Sequence, residues 1–349
     1  MFRWISLLRA TALLVALIGA ASPAENPAAD IDRSIKPGDD FYRYANGVWL
    51  GTVAVPVGQT SYDTRALLKG RTSQRVRELV EDAARATNNA DSITRKVGDY
   101  YASFIDEAGI EAKGLAPIAA EMSAISEIAD KTSLAGYLGS TLNTEVDGLT
   151  SNADHIFGLF VNQGFEDAQH NLPHLFQGGL GLPNRDDYLD PEKAELRSRY
   201  QAHIATMLKL AGIADSEAKS ARILALEIRV AQTFAPDSDA ADVFKQNNPW
   251  KRVNFGRKAP GIDWDAYFKA AGMPTQSDFI VWQPTAVTGV SALVASESLD
   301  AWKDYLRFHL IEHYAAVLPK AIVAEHFAFA QSTAGRTSLA IDATNAALG

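Results

Sequence analysis

A mainly α-helical fold with a few short strands is what this sequence predicts. Three observations carry the prediction. Apolar residues recur at spacings of three and four through most of the chain, which lays one stripe along one side of a helix. Short apolar runs lie in the middle, at Gly158–Val161, which is partly β-branched, and at Leu172–Gln177. Helix-boundary chemistry brackets the long periodic segments, with Asp215, Ser216 and Ser298 as caps, Pro191 in a first turn, and Gly272 and Pro319 as stops.

In chain order, residues 1–24 read as a signal peptide. Arg3 and Arg9 supply a positive start, Ala10–Ala21 is an apolar stretch too short to span a bilayer, and small residues follow. Residues 25–36 are polar and Ala/Pro-rich, a flexible leader. Thr64–Thr87 places Leu67, Leu68, Val76, Leu79 and Val80 on one helix side. Asp91–Glu107 repeats the pattern with Ile93, Val97, Tyr100, Tyr101 and Phe104, and Leu134–Asn143 is a shorter helix. The two strand candidates come next, followed by the turn-rich run Gly178–Pro183. Helices resume at Pro191–Leu210 and then along the stripe Ile223, Leu226 and Val230. Residues 236–260 are polar and broken, and divide the helical part into two subregions. Asp263–Ala271 is a short helix, Ile280–Trp282 is extended, and a long helix runs from Leu299 to about Leu318.

Composition narrows the function. The chain has 349 residues, 47% hydrophobic and 21% charged, which suits a globular protein with a sizeable core. A net charge of −9 argues against tracking a nucleic-acid backbone, which needs clustered Lys and Arg. With no cysteine, disulfides, thiolate zinc sites and cysteine nucleophiles are excluded. No stretch after the signal segment is long and apolar enough for a membrane span.

Two segments carry the strongest family signal: Asp39-Asp40-Phe41-Tyr42-Arg43-Tyr44-Ala45-Asn46-Gly47-Val48-Trp49 and Gly181-Leu182-Pro183-Asn184-Arg185-Asp186-Asp187-Tyr188-Leu189. Both resemble the signature segments of the neprilysin / endothelin-converting-enzyme family of zinc metallopeptidases. Tyr101–Asp106, Glu145–Gly148, Pro260–Trp264, Trp302–Leu306 and Ala343–Gly349 resemble further family segments in the same order. The resemblance covers residues 37–349 and implies the multi-helix N-terminal (roof) domain of a neprilysin-like peptidase. In that family the roof encloses a cavity for oligopeptides over a thermolysin-like zinc domain. There, two His and a downstream Glu hold zinc, and the Glu of His-Glu-x-x-His activates water.

No His-Glu-x-x-His occurs here, so the expectation is a chain without the catalytic zinc domain: no catalytic residue, no cofactor of its own, and no activity alone. Zinc and oligopeptide substrates are implied for the full-length enzyme only. Export to the periplasm or extracellular space is expected, with no membrane contact after signal removal and no nucleic-acid partner. Where animal members carry an arginine contacting the substrate's C-terminal carboxylate, this chain has Ser61, and Arg65 and Lys69 are candidate substitutes, set against a plain surface pair. The second segment has Asp187-Tyr188 where the family has two tyrosines. A different reading is a stand-alone periplasmic peptide-binding or interaction module. A third is an inverted zinc motif at His309, Glu312 and His313, set against two histidines edging a packed helix face.

Overall fold

Capping chemistry opens several of the helices the sequence leads one to expect, although Asp215, at the start of the Ser216–Thr233 helix, makes no side-chain capping bond. The structure, a computed structural model, describes residues 27–55, 62–86, 91–142, 153, 155–166, 169–240 and 242–334. The signal segment, Ser61, Glu145–Gly148 and Ala343–Gly349 lie outside the described residues. The chain falls into two compact units, residues 1–68 and 69–349.

In the first unit, helix α1 (Phe41–Thr52) starts where the Asp40 carboxylate accepts a hydrogen bond from the Arg43 amide at 2.9 Å. Asp40 and Arg43 belong to the first signature segment, so part of that segment is a helix start. The Asp32 amide donates to the Tyr44 carbonyl at 2.8 Å, and a side chain at Gly47 would collide with Asp32. Trp49 stacks on Tyr62 with ring centroids 6.3 Å apart. Helix α2 (Thr64–Arg85) begins beside Asp63, whose carboxylate accepts from the Ala66 amide at 2.7 Å.

In the second unit, α3 (Ser92–Phe104) is capped by Asp91, and α4 (Glu107–Lys113) and α5 (Ala119–Glu127) follow. Helix α6 (Lys131–Ser140) opens on a capping box between Asp130 and Ser133. Strands β1 (Phe157–Gln163) and β2 (Asn171–Gln177) match the two apolar runs of the sequence. Next come α7 (Arg185–Leu189), α8 (Ala194–Leu210) and α9 (Ser216–Thr233). Strand β3 (Pro249–Lys251), helix α10 (Trp264–Ala270), strand β4 (Asp278–Val281) and helix α11 (Pro284–Ser296) lead to α12 (Leu299–His313) and α13 (Lys320–Ala334). The sheet has the order β1-β2-β4-β3, antiparallel at both outer pairs and parallel between β2 and β4.

Helix α12 is central to the core. Its Trp302, Tyr305, Phe308 and Ile311 are buried, and it packs on α5, α8 and α9. The buried Asp304 on α12 is paired with Arg222 of α9 at 2.7 Å. Helix α10 lies against α6, where a side chain at Gly139 would strike the Tyr267 carbonyl. The fold is therefore mainly α with a small sheet.

Three segments differ in detail from the sequence reading. Residues 236–260, read as broken and polar, contain short helical turns and β3 among the described residues, and Trp250 and Phe255 join the main hydrophobic cluster. Single aromatic anchors give no periodic signal, yet each buries a large area. Helix α11 has no polar face to reveal a period, because Val287, Val290, Ser291 and Val294 are all buried. The long helix from Leu299 ends at His313, and Ala315–Val317 form a 3-10 turn before Pro319. Among the described residues, no helix is long and apolar enough to cross a membrane.

Candidate functional site

Glu227 sits on the apolar stripe of α9, one turn after Ile223 and one turn before Val230 and Ala231, and is fully buried. A carboxylate there must find donors or cost several kcal/mol. It finds four. The Tyr188 hydroxyl donates at 2.5 Å and the Tyr200 hydroxyl at 3.0 Å. His309 Nε2 donates at 2.8 Å, and the Gly181 amide approaches at 3.4 Å. Tyr188 in turn accepts from the Leu182 amide at 2.7 Å. A side chain at Gly181 would occupy the place of the Tyr200 hydroxyl. The second signature segment therefore folds around one buried carboxylate. Burial first, and the negative charge of Glu227 second, raise Tyr188 and Tyr200 well above the usual phenol range.

A second polar cluster lies where α8, α12 and α13 meet. His203 of α8 is buried, with Nδ1 2.9 Å from Glu325 of α13 and Nε2 3.3 Å from Glu312 of α12. The other Glu312 oxygen is 2.6 Å from His326 Nδ1. Burial alone would raise the Glu312 carboxyl, but hydrogen bonds and charge from His203 and His326 outweigh it and hold it at about 2. Burial alone would likewise lower His203, yet its two carboxylate partners raise it.

A cleft of about 250 Å³ runs beside α6 and α12 and is lined in part by Glu121, Tyr137, His155, His309, His313 and Tyr314. Burial, with the charges of Glu121 and Tyr314 behind it, pushes the Tyr137 hydroxyl up to about 12.

The inverted motif is spread over these three places. His309 is held by Glu227, Glu312 by His203 and His326, and the His313 ring lies 5.8 Å from that of His155. Glu312 is turned about 100° from its neighbour His313, and its carboxylate is taken by His203 and His326. These donors diverge and do not fit a shared zinc ion. Among the described residues, no group of three or more His, Asp or Glu side chains is placed to hold a metal. Arg65 and Lys69 are each exposed on α2. His174 is committed elsewhere: its Nε2 faces the Gln163 carbonyl at 3.2 Å and its Nδ1 accepts from Trp282 at 3.0 Å.

Sequence reasoning missed Glu227, His203, Glu325 and His326 as members of one polar layer. A signal did exist for two of them. Glu227 interrupts the α9 stripe, and His203 falls between Tyr200 and Met207 on the buried side of α8. Their partners are 27 to 122 residues away in sequence, which no local pattern discloses.

Comparison with known proteins adds the family. A family model described as peptidase family M13 matches residues 37–349. The chain is 22% identical over 298 residues to mouse endothelin-converting enzyme 1, covering 82% of this chain and 38% of the relative. It is 26% identical over 312 residues to mouse endothelin-converting enzyme-like 1, covering 84% of this chain and 40% of the relative. Among solved structures it resembles the Mycobacterium tuberculosis zinc metalloprotease Zmp1 in complex with an inhibitor. That match has a TM-score of 0.79 and 29% identity over 92% of this chain and 48% of that one. PepO from Lactobacillus rhamnosis shares the fold, with a TM-score of 0.68 at 17% identity over 90% of this chain and 49% of that one. The chain thus spans less than half the length of these proteins.

Proposed function

From the premise that the chain belongs to peptidase family M13, as its N-terminal domain, we propose that it is the non-catalytic part of an exported zinc metalloendopeptidase. Its task in this reading is to shape and roof a space for oligopeptides, while zinc-assisted hydrolysis belongs to a separate half bearing His-Glu-x-x-His. One observation carries the reading: the family match runs through a sequence with no His-Glu-x-x-His, and the clustered carboxylates and imidazoles are spent on one another. Glu227 has donors on both oxygens and Glu312 has an imidazole on each, so both carboxylates are engaged by side chains of this chain.

Hydrolysis in the complete enzyme would draw on zinc as a Lewis acid and as the activator of a bound water. The residues of this chain supply none of that chemistry. What they supply is rigidity: buried hydrogen-bonded carboxylates fix α7, α8, α9 and α12 against one another. Sequencing the transcript past codon 349 tests the proposal. The expected result is an open frame running into a His-Glu-x-x-His segment. A stop codon with no such half encoded nearby would instead favour a stand-alone peptide-binding module.

A further inference from the structure

Five of the seven histidines gather around α12: His309 and His313 on it, His155 against His313, and His203 and His326 against Glu312. Within this group His203 has an arrangement that constrains its protonation. A carboxylate oxygen stands at hydrogen-bond distance from each of its ring nitrogens, Glu325 at Nδ1 and Glu312 at Nε2. A neutral imidazole has one N–H, so it can donate to one carboxylate while presenting a lone pair to the other. Only the imidazolium satisfies both.

We propose that doubly protonated His203 is a proton-operated latch that holds α13 on the body of the domain. Two adjacent residues of α13 enter the latch and reach different helices. Glu325 goes to His203 on α8, and His326 goes to Glu312 on α12. His203 sits between Glu325 and Glu312, so losing its second proton unmakes one of its two carboxylate contacts and sets a lone pair against a carboxylate oxygen.

The surroundings make this proton consequential. The His203 ring stacks on Phe329 of α13 at 4.4 Å and meets Phe308 of α12 edge-on at 6.2 Å, which screens it from water. From α9, Glu227 enters this region, bonded to Tyr200 one turn before His203 on α8. Arg199 of α8 also reaches the Ser332 carbonyl of α13 at 3.5 Å. The latch is therefore the pH-sensitive part of the α13 attachment, and the uncharged Phe329 contact is the constant part.

The sign follows from the two shifts. A raised His203 contributes stability that is full below its ordinary value of 6.5 and disappears as pH rises through the raised value. A lowered Glu312 contributes stability that is full above its ordinary 4.5 and disappears as pH falls toward about 2. Docking of α13 is thus firmest between those ordinary values and loosens as pH rises through the raised His203 value.

Hydrogen exchange of the full chain, read by mass spectrometry and corrected for the intrinsic pH dependence of exchange, tests this. Between about pH 5.5 and 8.5 the protection of α13 amides should fall at least about tenfold relative to α9, the scale of losing one hydrogen bond to a charged group. In Glu325→Gln the fall should shrink below about threefold with α13 still protected, because the introduced amide can donate to Nδ1 of neutral His203. His203→Gln should give α13 protection that is low and flat with pH. Wild-type α13 protection that tracks α9 throughout, or an undiminished fall in Glu325→Gln, would overturn the latch.

Discussion

Glu227→Ala lowers the unfolding free energy by about 3–5 kcal/mol, the cost of breaking a buried charged network by removing one partner. The substitution strands the Tyr188 and Tyr200 hydroxyls, His309 Nε2 and the Gly181 amide in a dry interior, and leaves a void where the side chain was. Guanidinium denaturation followed by far-ultraviolet circular dichroism measures it. Glu227→Gln is the informative companion. It keeps the shape but turns one oxygen into a donor, so one of the four donors faces another donor. Its expected cost is about 1–3 kcal/mol. A loss below about 1 kcal/mol for the alanine variant would mean that the second signature segment is not organised by this carboxylate.

Gly261→Ala costs about 3 kcal/mol or more by the same measurement. Gly261 has φ of 132°, a region L side chains rarely adopt, and its added Cβ would collide with the Ser291 carbonyl of α11. Neither side can yield cheaply. The Ser291 hydroxyl accepts from the Ile262 amide at 2.9 Å and donates to the Ala259 carbonyl at 2.7 Å. The Trp264 indole donates to that same carbonyl at 2.7 Å. The run Pro260–Trp264 is thus a packed corner between α10 and α11, with Asp263 capping α10. Gly272→Ala is the control. Its φ of 73° carries backbone strain, but no atom lies within 4 Å of the added Cβ, so its loss should be about 1–2 kcal/mol. Equal losses at the two glycines would show that close packing contributes nothing at Gly261.

The helical stripes, the two middle strands and the cap at Ser298 were legible because each is a local matter of spacing or of one side chain meeting a nearby amide. Helix α11 was not, because a segment buried on most sides shows no alternation to read. The chemistry of the polar layer was harder still. His309-Leu310-Ile311-Glu312-His313 looks like one site along the sequence, but packing hands its three polar side chains to three sets of neighbours. The reverse holds for His203: nothing beside it in the sequence points to Glu312 or Glu325, and only the meeting of α8, α12 and α13 creates the cluster. The signature segments resembled a peptidase family, and their structural roles proved to be a helix cap and a wrapping around Glu227.

The central claim is that this chain contributes form and no zinc chemistry. It is tested most directly by incubating the purified protein with zinc, measuring bound metal, and following cleavage of an internally quenched oligopeptide. The account predicts no stoichiometric zinc and no zinc-dependent turnover. One tightly held zinc per chain, with peptide cleavage that His309→Ala abolishes, would contradict it.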